Sequence, residues 1–144
     1  MDLSAILSKP ASEIKPPEPL PTGLYMAQVE KMAEPREVNT KNGPAPVIDL
    51  TVKILQPLDV AVPPTVDLPR SMRYTMWLGE NSLFMTRNFL ESVLGIEPGN
   101  KSLGEMIAEV PGRMFRAEVI EKAYTPQNGE TRMINEIGKT FAVE

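Results

Sequence analysis

Histidine and cysteine are both absent from the 144 residues. Without histidine the chain lacks the commonest general base and the commonest zinc ligand. Without cysteine there are no disulfides, no thiol nucleophile and no thiolate-bound metal. Most hydrolase and metalloenzyme readings fall on these two absences. The acids are scattered and form no metal-ligand motif, so no cofactor and no metal are expected. No apolar run approaches the ~20 residues of a membrane span. The N-terminus has neither the basic start nor the apolar middle of a signal peptide. No membrane association is expected. There is a single tryptophan, Trp77.

What is present is ordinary for a folded chain of one domain: 42% hydrophobic and 24% charged residues, with a net charge of −4. That charge argues mildly against indiscriminate nucleic-acid binding, but local distribution sets the field a ligand meets. Fifteen prolines are many for the length, and their placement divides the chain. Residues 1–21 hold Pro10, Pro16, Pro17, Pro19 and Pro21, which forbid a continuous helix and favour an extended arm. Leu3, Ile6 and Leu7 make one short amphipathic turn at its start. This arm reads either as a loosely ordered tail or as a docking arm that inserts those three residues into another subunit or a partner.

The domain proper is expected over residues 22–144. Alternation places Tyr25, Ala27 and Val29 of a first strand on the core face, and Ile48, Leu50, Val52 and Ile54 of a second. Glu34–Pro46 between them reads as a polar loop, and Pro57–Pro69, with four prolines, as a long exposed connection. Met72–Leu78 forms a third strand, with Met72, Tyr74, Met76 and Leu78 on one face and Arg73, Thr75 and Trp77 on the other. A helix follows, capped by Asn81 or Ser82 and ended by Gly95. Its apolar rows are Met85, Phe89 and Val93, flanked by Leu83, Leu90 and Leu94. Glu97–Lys101 turns the chain, and Ser102-Leu103-Gly104-Glu105 has capping-box spacing for a short second helix. Arg113–Tyr124 and Glu130–Ile137 form a closing hairpin around Thr125–Gly129, with Phe115, Ala117 and Val119 inside and a bend at Gly138. The expected fold is therefore mainly β with a helical insert. It is a five-stranded OB-fold-like Greek-key barrel, with the helix between strands three and four and an extended proline-rich N-terminal arm.

Three stretches then resemble phage-encoded single-stranded-DNA-binding proteins of the OB-fold type. LPTGLYMAQV, with the proline-rich approach to it, is similar to that family's opening. RYTMWLG and the helix after it look like its third strand and helix, and GRMFRAEVIEKAYTPQNGETRMINEI looks like its closing hairpin. The likeness covers most of residues 1–140. It implies a protein of phage replication or recombination that coats and protects single strands in the cytoplasm of an infected bacterial host. Partners would be replication or recombination proteins and further copies of the chain. The chain departs from the acidic C-terminal run of many such proteins, since it closes on Phe141-Ala142-Val143-Glu144, so recruitment through an acidic tail is not expected.

Coating single strands needs aromatic faces for bases and cations for phosphates. The outward face of the second and third strands offers Lys53, Arg73 and Trp77, with Thr51 and Thr75 between them and Arg70 at the strand entrance. Arg36 and Lys41 in the first loop, and Tyr124 and Arg132 at the closing hairpin, would clamp the strand from both sides. Trp77 serves core packing as readily as stacking, and each cation can be an ordinary solvated charge. Two other classes fit the same features: a virion structural or assembly protein whose arm holds neighbours, and a carbohydrate- or peptide-binding module built on Trp77. An enzyme would need a convergent carboxylate or lysine cluster, and none is visible.

Overall fold

The computed structural model describes residues 3–8, 10, 18–95, 99, 101–127 and 129–143. Pro16 and Pro17 of the arm, Glu97 of the expected turn and Asn128 of the expected hairpin loop lie outside these. The alternation at Tyr25, Ala27 and Val29 becomes strand β1 (Gly23–Met32), with all three side chains fully buried. Next come β2 (Arg36–Thr40), β3 (Gly43–Pro57) and β4 (Arg70–Trp77). A single 3-10 turn, Glu80–Ser82, leads into helix α2 (Leu83–Leu94), and α3 (Leu103–Ala108), β5 (Met114–Tyr124) and β6 (Arg132–Phe141) complete the chain. Before all of these, α1 (Leu3–Leu7) is a five-residue helix with no buried residue.

The sheet is one open antiparallel sheet of six strands, not the five expected. The extra strand is β2, inside the segment read as a polar loop. It pairs with the start of β3 from Arg36↔Val47 to Thr40↔Gly43. Gly43, at φ 103°, gives the tight turn the left-handed conformation it needs. Two prolines on β3, Pro44 and Pro46, argue against a strand by rule. The Pro46 carbonyl, however, accepts from Leu78 N–H on the other edge. The missing N–H of Pro46, and that of Pro44 two residues earlier, therefore points away from β2, and no bond of that ladder is lost.

β3 is the splint of the sheet. Val47 pairs with both Arg36 of β2 and Trp77 of β4, and Leu50 with both Met32 of β1 and Tyr74 of β4. β1 and β2 thus share one edge of β3, joined by Ala33 N–H donating to the Asp49 carbonyl (2.9 Å), while β4 takes the other edge. β5 continues from β1, and β6 from β5. The bend expected at Gly138 is a bulge within a continuous β6, where Thr140↔Ala117 and Ile137↔Val119 leave two residues of β6 opposite Glu118. β4 and β6 are the two ends of the sheet, and no ladder joins them among the described residues.

Ile48, Leu50, Val52, Ile54, Met76, Phe115, Ala117 and Val119 fill the interior with Tyr25, Ala27 and Val29. Each large side chain so buried contributes about 1.5–3 kcal/mol. Helix α2 closes the core with Thr86, Phe89, Leu90 and Val93, a row set one position beyond the expected one at its start. Met85, expected inside, is 72% exposed, and Leu83 is exposed as well. Thr86 takes the inward place because its hydroxyl donates to the Trp77 carbonyl (2.6 Å), tying the first helical turn to the end of β4. Ser82 precedes the helix without a side-chain cap, and Gly95 ends it at φ 66° with its N–H on the Glu91 carbonyl. Ser102 caps α3 as its spacing required, accepting from Glu105 N–H.

Two stretches read as peripheral reach the core. Val66 of the proline-rich connection is buried, with Val60, Val62 and Leu68 packed against the same cluster. Leu20, near the end of the arm, is fully buried. Its N–H donates to Asn135 Oδ1 (2.8 Å) and its carbonyl accepts from Asn135 Nδ2 (2.9 Å), so one carboxamide holds the arm to β6.

Candidate nucleic-acid interface

The outer face of the β3–β4 ladder places the expected residues side by side: Lys53↔Ser71, Thr51↔Arg73, Asp49↔Thr75 and Val47↔Trp77. The register also puts a carboxylate in the middle. Arg36 Nε lies 2.7 Å from Asp49 Oδ2, and the Thr75 hydroxyl donates to Asp49 Oδ1 (2.7 Å). The bond from Arg36 and then that from Thr75 hold the Asp49 carboxyl below the usual carboxylate range, and the bond to Asp49 raises the Arg36 guanidinium. Arg36 and Thr75 are thereby engaged within the protein. Ser71, opposite Lys53, donates to Glu30 Oε2 (3.2 Å).

Trp77 stands 39% exposed at the far end of this face. It lines a depression with Thr40, Asn42, Pro44 and the Gly79–Ser82 turn, whose one charged lining residue is Glu80. Arg73 is four residues away on the same strand, about 13 Å at ~3.3 Å per residue. The structure therefore sets Trp77 apart from Arg73. Lys41 sits exposed in the β2–β3 turn.

Three other expected residues do converge. The gap between β4 and β6 holds a cleft of about 380 Å³, lined by Arg70 and Arg73 from β4, Arg132 from β6, and Pro19, Met72, Met133, Ile134 and Asn135. No lining residue is acidic, and none of the three arginines is in an ion pair among the described residues. Arg70 donates to the Glu18 carbonyl (2.6 Å), which fixes it at the cleft's edge. Arg132 lies over the exposed Tyr124 ring, its guanidinium carbon 5.7 Å from the centroid, because the two are partners in the β5–β6 ladder. Arg73 also borders the outer depression that contains Asp49 and Thr51, and its charge adds to the lowering of the Asp49 carboxyl. The cleft offers three guanidiniums and apolar lining from Pro19, Met72, Met133 and Ile134, and the Tyr124 ring lies under one of those guanidiniums.

Asn135 was missed as an organiser of this site. An isolated asparagine in an otherwise alternating strand is its only signal in the sequence. Leu3, Ile6 and Leu7 are all exposed on one short helix, and none of them lines the cleft. Among the described residues there is no group of three or more acidic side chains placed to hold a metal, and no helix long and apolar enough to cross a membrane.

No protein-family model matches this chain and no curated protein matches it. The functional reading therefore rests on the geometry.

Proposed function

We propose that this protein binds single-stranded DNA without catalysis, laying the strand along the cleft between β4 and β6. In that role it coats and protects single strands in phage replication or recombination within the host cytoplasm. The observation that carries the reading is the convergence of Arg70, Arg73 and Arg132 on one cleft with no lining carboxylate among the described residues, beside an aromatic ring that lies under a guanidinium. Planar guanidiniums suit phosphate, and rings such as Tyr124 accept any base. The strand path supports it as well. With β2 taken as an extension, β1, β3, β4, a helix, β5 and β6 follow one another as the strands and helix of an OB-fold do, a barrel that binds oligonucleotides.

Three phosphate contacts give a salt slope of about −2 on a single strand, or roughly a 20-fold loss of affinity between 50 and 200 mM salt. Fluorescence anisotropy of a labelled 30-mer of oligo-dT tests this. Saturable binding with that slope is expected. Absence of binding at 50 mM salt overturns the reading.

One observation favours a second reading, assembly of a virion through the arm. Leu3, Ile6 and Leu7 are 62%, 52% and 74% exposed on a helix too short to hold itself. Sedimentation of the full chain distinguishes the two. A concentration-dependent oligomer that Leu7→Asp dissolves, together with no oligonucleotide binding, would favour assembly.

A further inference from the structure

The gap between β4 and β6 continues past the arginines into a second cleft of about 340 Å³, between β4, α2 and β6. It lies within the range of small-molecule sites, ~300–1,000 Å³. Its walls differ from those of the first. Tyr74 of β4 stacks on Phe89 of α2, with centroids 4.2 Å apart and planes 19° apart, and Phe89 meets Phe115 edge-on at 5.7 Å. The Tyr74 ring is thus fixed from behind. Phe141 of β6 forms part of the opposite side, half-exposed.

The polar groups here are mostly neutral. Burial raises the Tyr74 hydroxyl above its ordinary pKa, so it stays protonated, and it has no hydrogen-bond partner among the described residues. The Asn88 carboxamide likewise has none. The Ser92 hydroxyl donates to the Asn88 carbonyl (2.8 Å) and keeps its acceptor side open. The one cation in the lining among the described residues is Lys139, an exposed residue of β6.

A small anion would call for more charge than one exposed lysine offers, and an apolar ligand would cover the hydroxyl and the carboxamide without pairing them. A flat heteroaromatic with donors and acceptors on its edge meets every group present. We propose that this cleft is a nucleobase pocket that takes one base of the strand held by Arg70, Arg73 and Arg132, and that it gives the protein its preference among bases. The inference rests on the single-strand-binding reading above.

Anisotropy titrations with 12-mers of dA, dC and dT at one salt concentration test it, on the wild type, Asn88→Ala and Tyr74→Phe. Tyr74→Phe removes one oxygen and keeps the stack on Phe89, and thermal melts check that each variant is folded. The wild type is expected to separate the three oligomers by at least about fivefold. Each variant should weaken the preferred one by about 2–10-fold, the worth of one neutral hydrogen bond, and bring the three closer together. The salt slope should not change, because no charge is removed. If the wild type binds with the expected slope but does not discriminate, or if both variants bind all three as the wild type does, the pocket falls and the arginine cleft stands. If the wild type binds none, the single-strand reading itself has failed.

Discussion

Arg36 and Arg132 each stand at the first residue of a strand, and their surroundings are opposite. Arg36 lies against the Asp49 carboxylate, which Thr75 also holds, so its charge closes a contact inside the sheet. Arg132 lies over the Tyr124 ring and shares a cleft with two more arginines and, among the described residues, no lining acid. The difference comes from register. Ladder pairing set an acid beside Thr75 on the β3–β4 face, while the gap between β4 and β6 gathered cations from two sheet ends that share no ladder. A basic residue on a sheet surface presents a usable field only where the facing strand brings no carboxylate within a few ångströms, well inside the ~8–10 Å screening length of physiological salt.

Reversing the charge on the cleft side should have the largest effect. Arg73→Glu with Arg132→Glu replaces two attractions by two repulsions, and oligonucleotide affinity at low salt should fall by about 100-fold or more. An affinity within threefold of wild type, by anisotropy, would erase the contrast between the two regions. A smaller effect is expected from Asp49→Asn, which frees Arg36 on the other face. Oligonucleotide affinity should rise a few-fold if the strand passes near that face and stay level if it keeps to the cleft. The same variant bears on acid stability. The Asp49 carboxyl is depressed in the folded protein. Its contribution is therefore complete above the unfolded value of about 3.9 and is lost as pH falls through the lower folded one. The variant should unfold at lower denaturant than wild type at pH 7, with the gap narrowing below pH 4 in denaturant titrations followed by circular dichroism. Least affected should be Trp77→Ala. A stacked base contributes about 1–3 kcal/mol, so a loss of more than fivefold would return Trp77 to the binding path; less than twofold is expected.

Much of the fold could be read before the structure. The inward faces of β1, β3, β4 and β5 follow from strict alternation, the end of α2 from Gly95, and the start of α3 from the Ser102–Glu105 spacing. β2 could not be read this way, because Arg36-Glu37-Val38-Asn39-Thr40 carries one apolar residue and the stretch of β3 it pairs with carries two prolines. Their harmlessness depends on which edge of β3 each missing N–H faces. Leu20 was lost among prolines, since no pattern shows that a carboxamide 115 residues away will take both of its backbone groups. Thr86 displaced an apolar row because a backbone carbonyl stood ready for its hydroxyl. The site was legible in kind and not in place. Residue types suited to phosphate and bases were visible, and Arg70, Arg73, Arg132 and Tyr124 were among them. Which cations would be neutralised depends on cross-strand register, and the sequence does not display that.

The absence of a ladder between β4 and β6 bears on how a strand would enter. Residues Leu50–Ile54 of β3 and Tyr25–Gln28 of β1 are flanked by a partner on each side, so their amides should exchange with solvent most slowly. The outward-facing edges of β4 and β6 have a partner on one side only, and both border the clefts. Parting them breaks no backbone bond of the sheet. The contacts beside the gap run through other elements: Leu20–Asn135 ties the arm to β6, and the Tyr74–Phe89 stack ties β4 to α2. Among the described residues, the doubly flanked strips are therefore the part of the sheet held by the most backbone bonds, and the β4–β6 gap is the line held by the fewest.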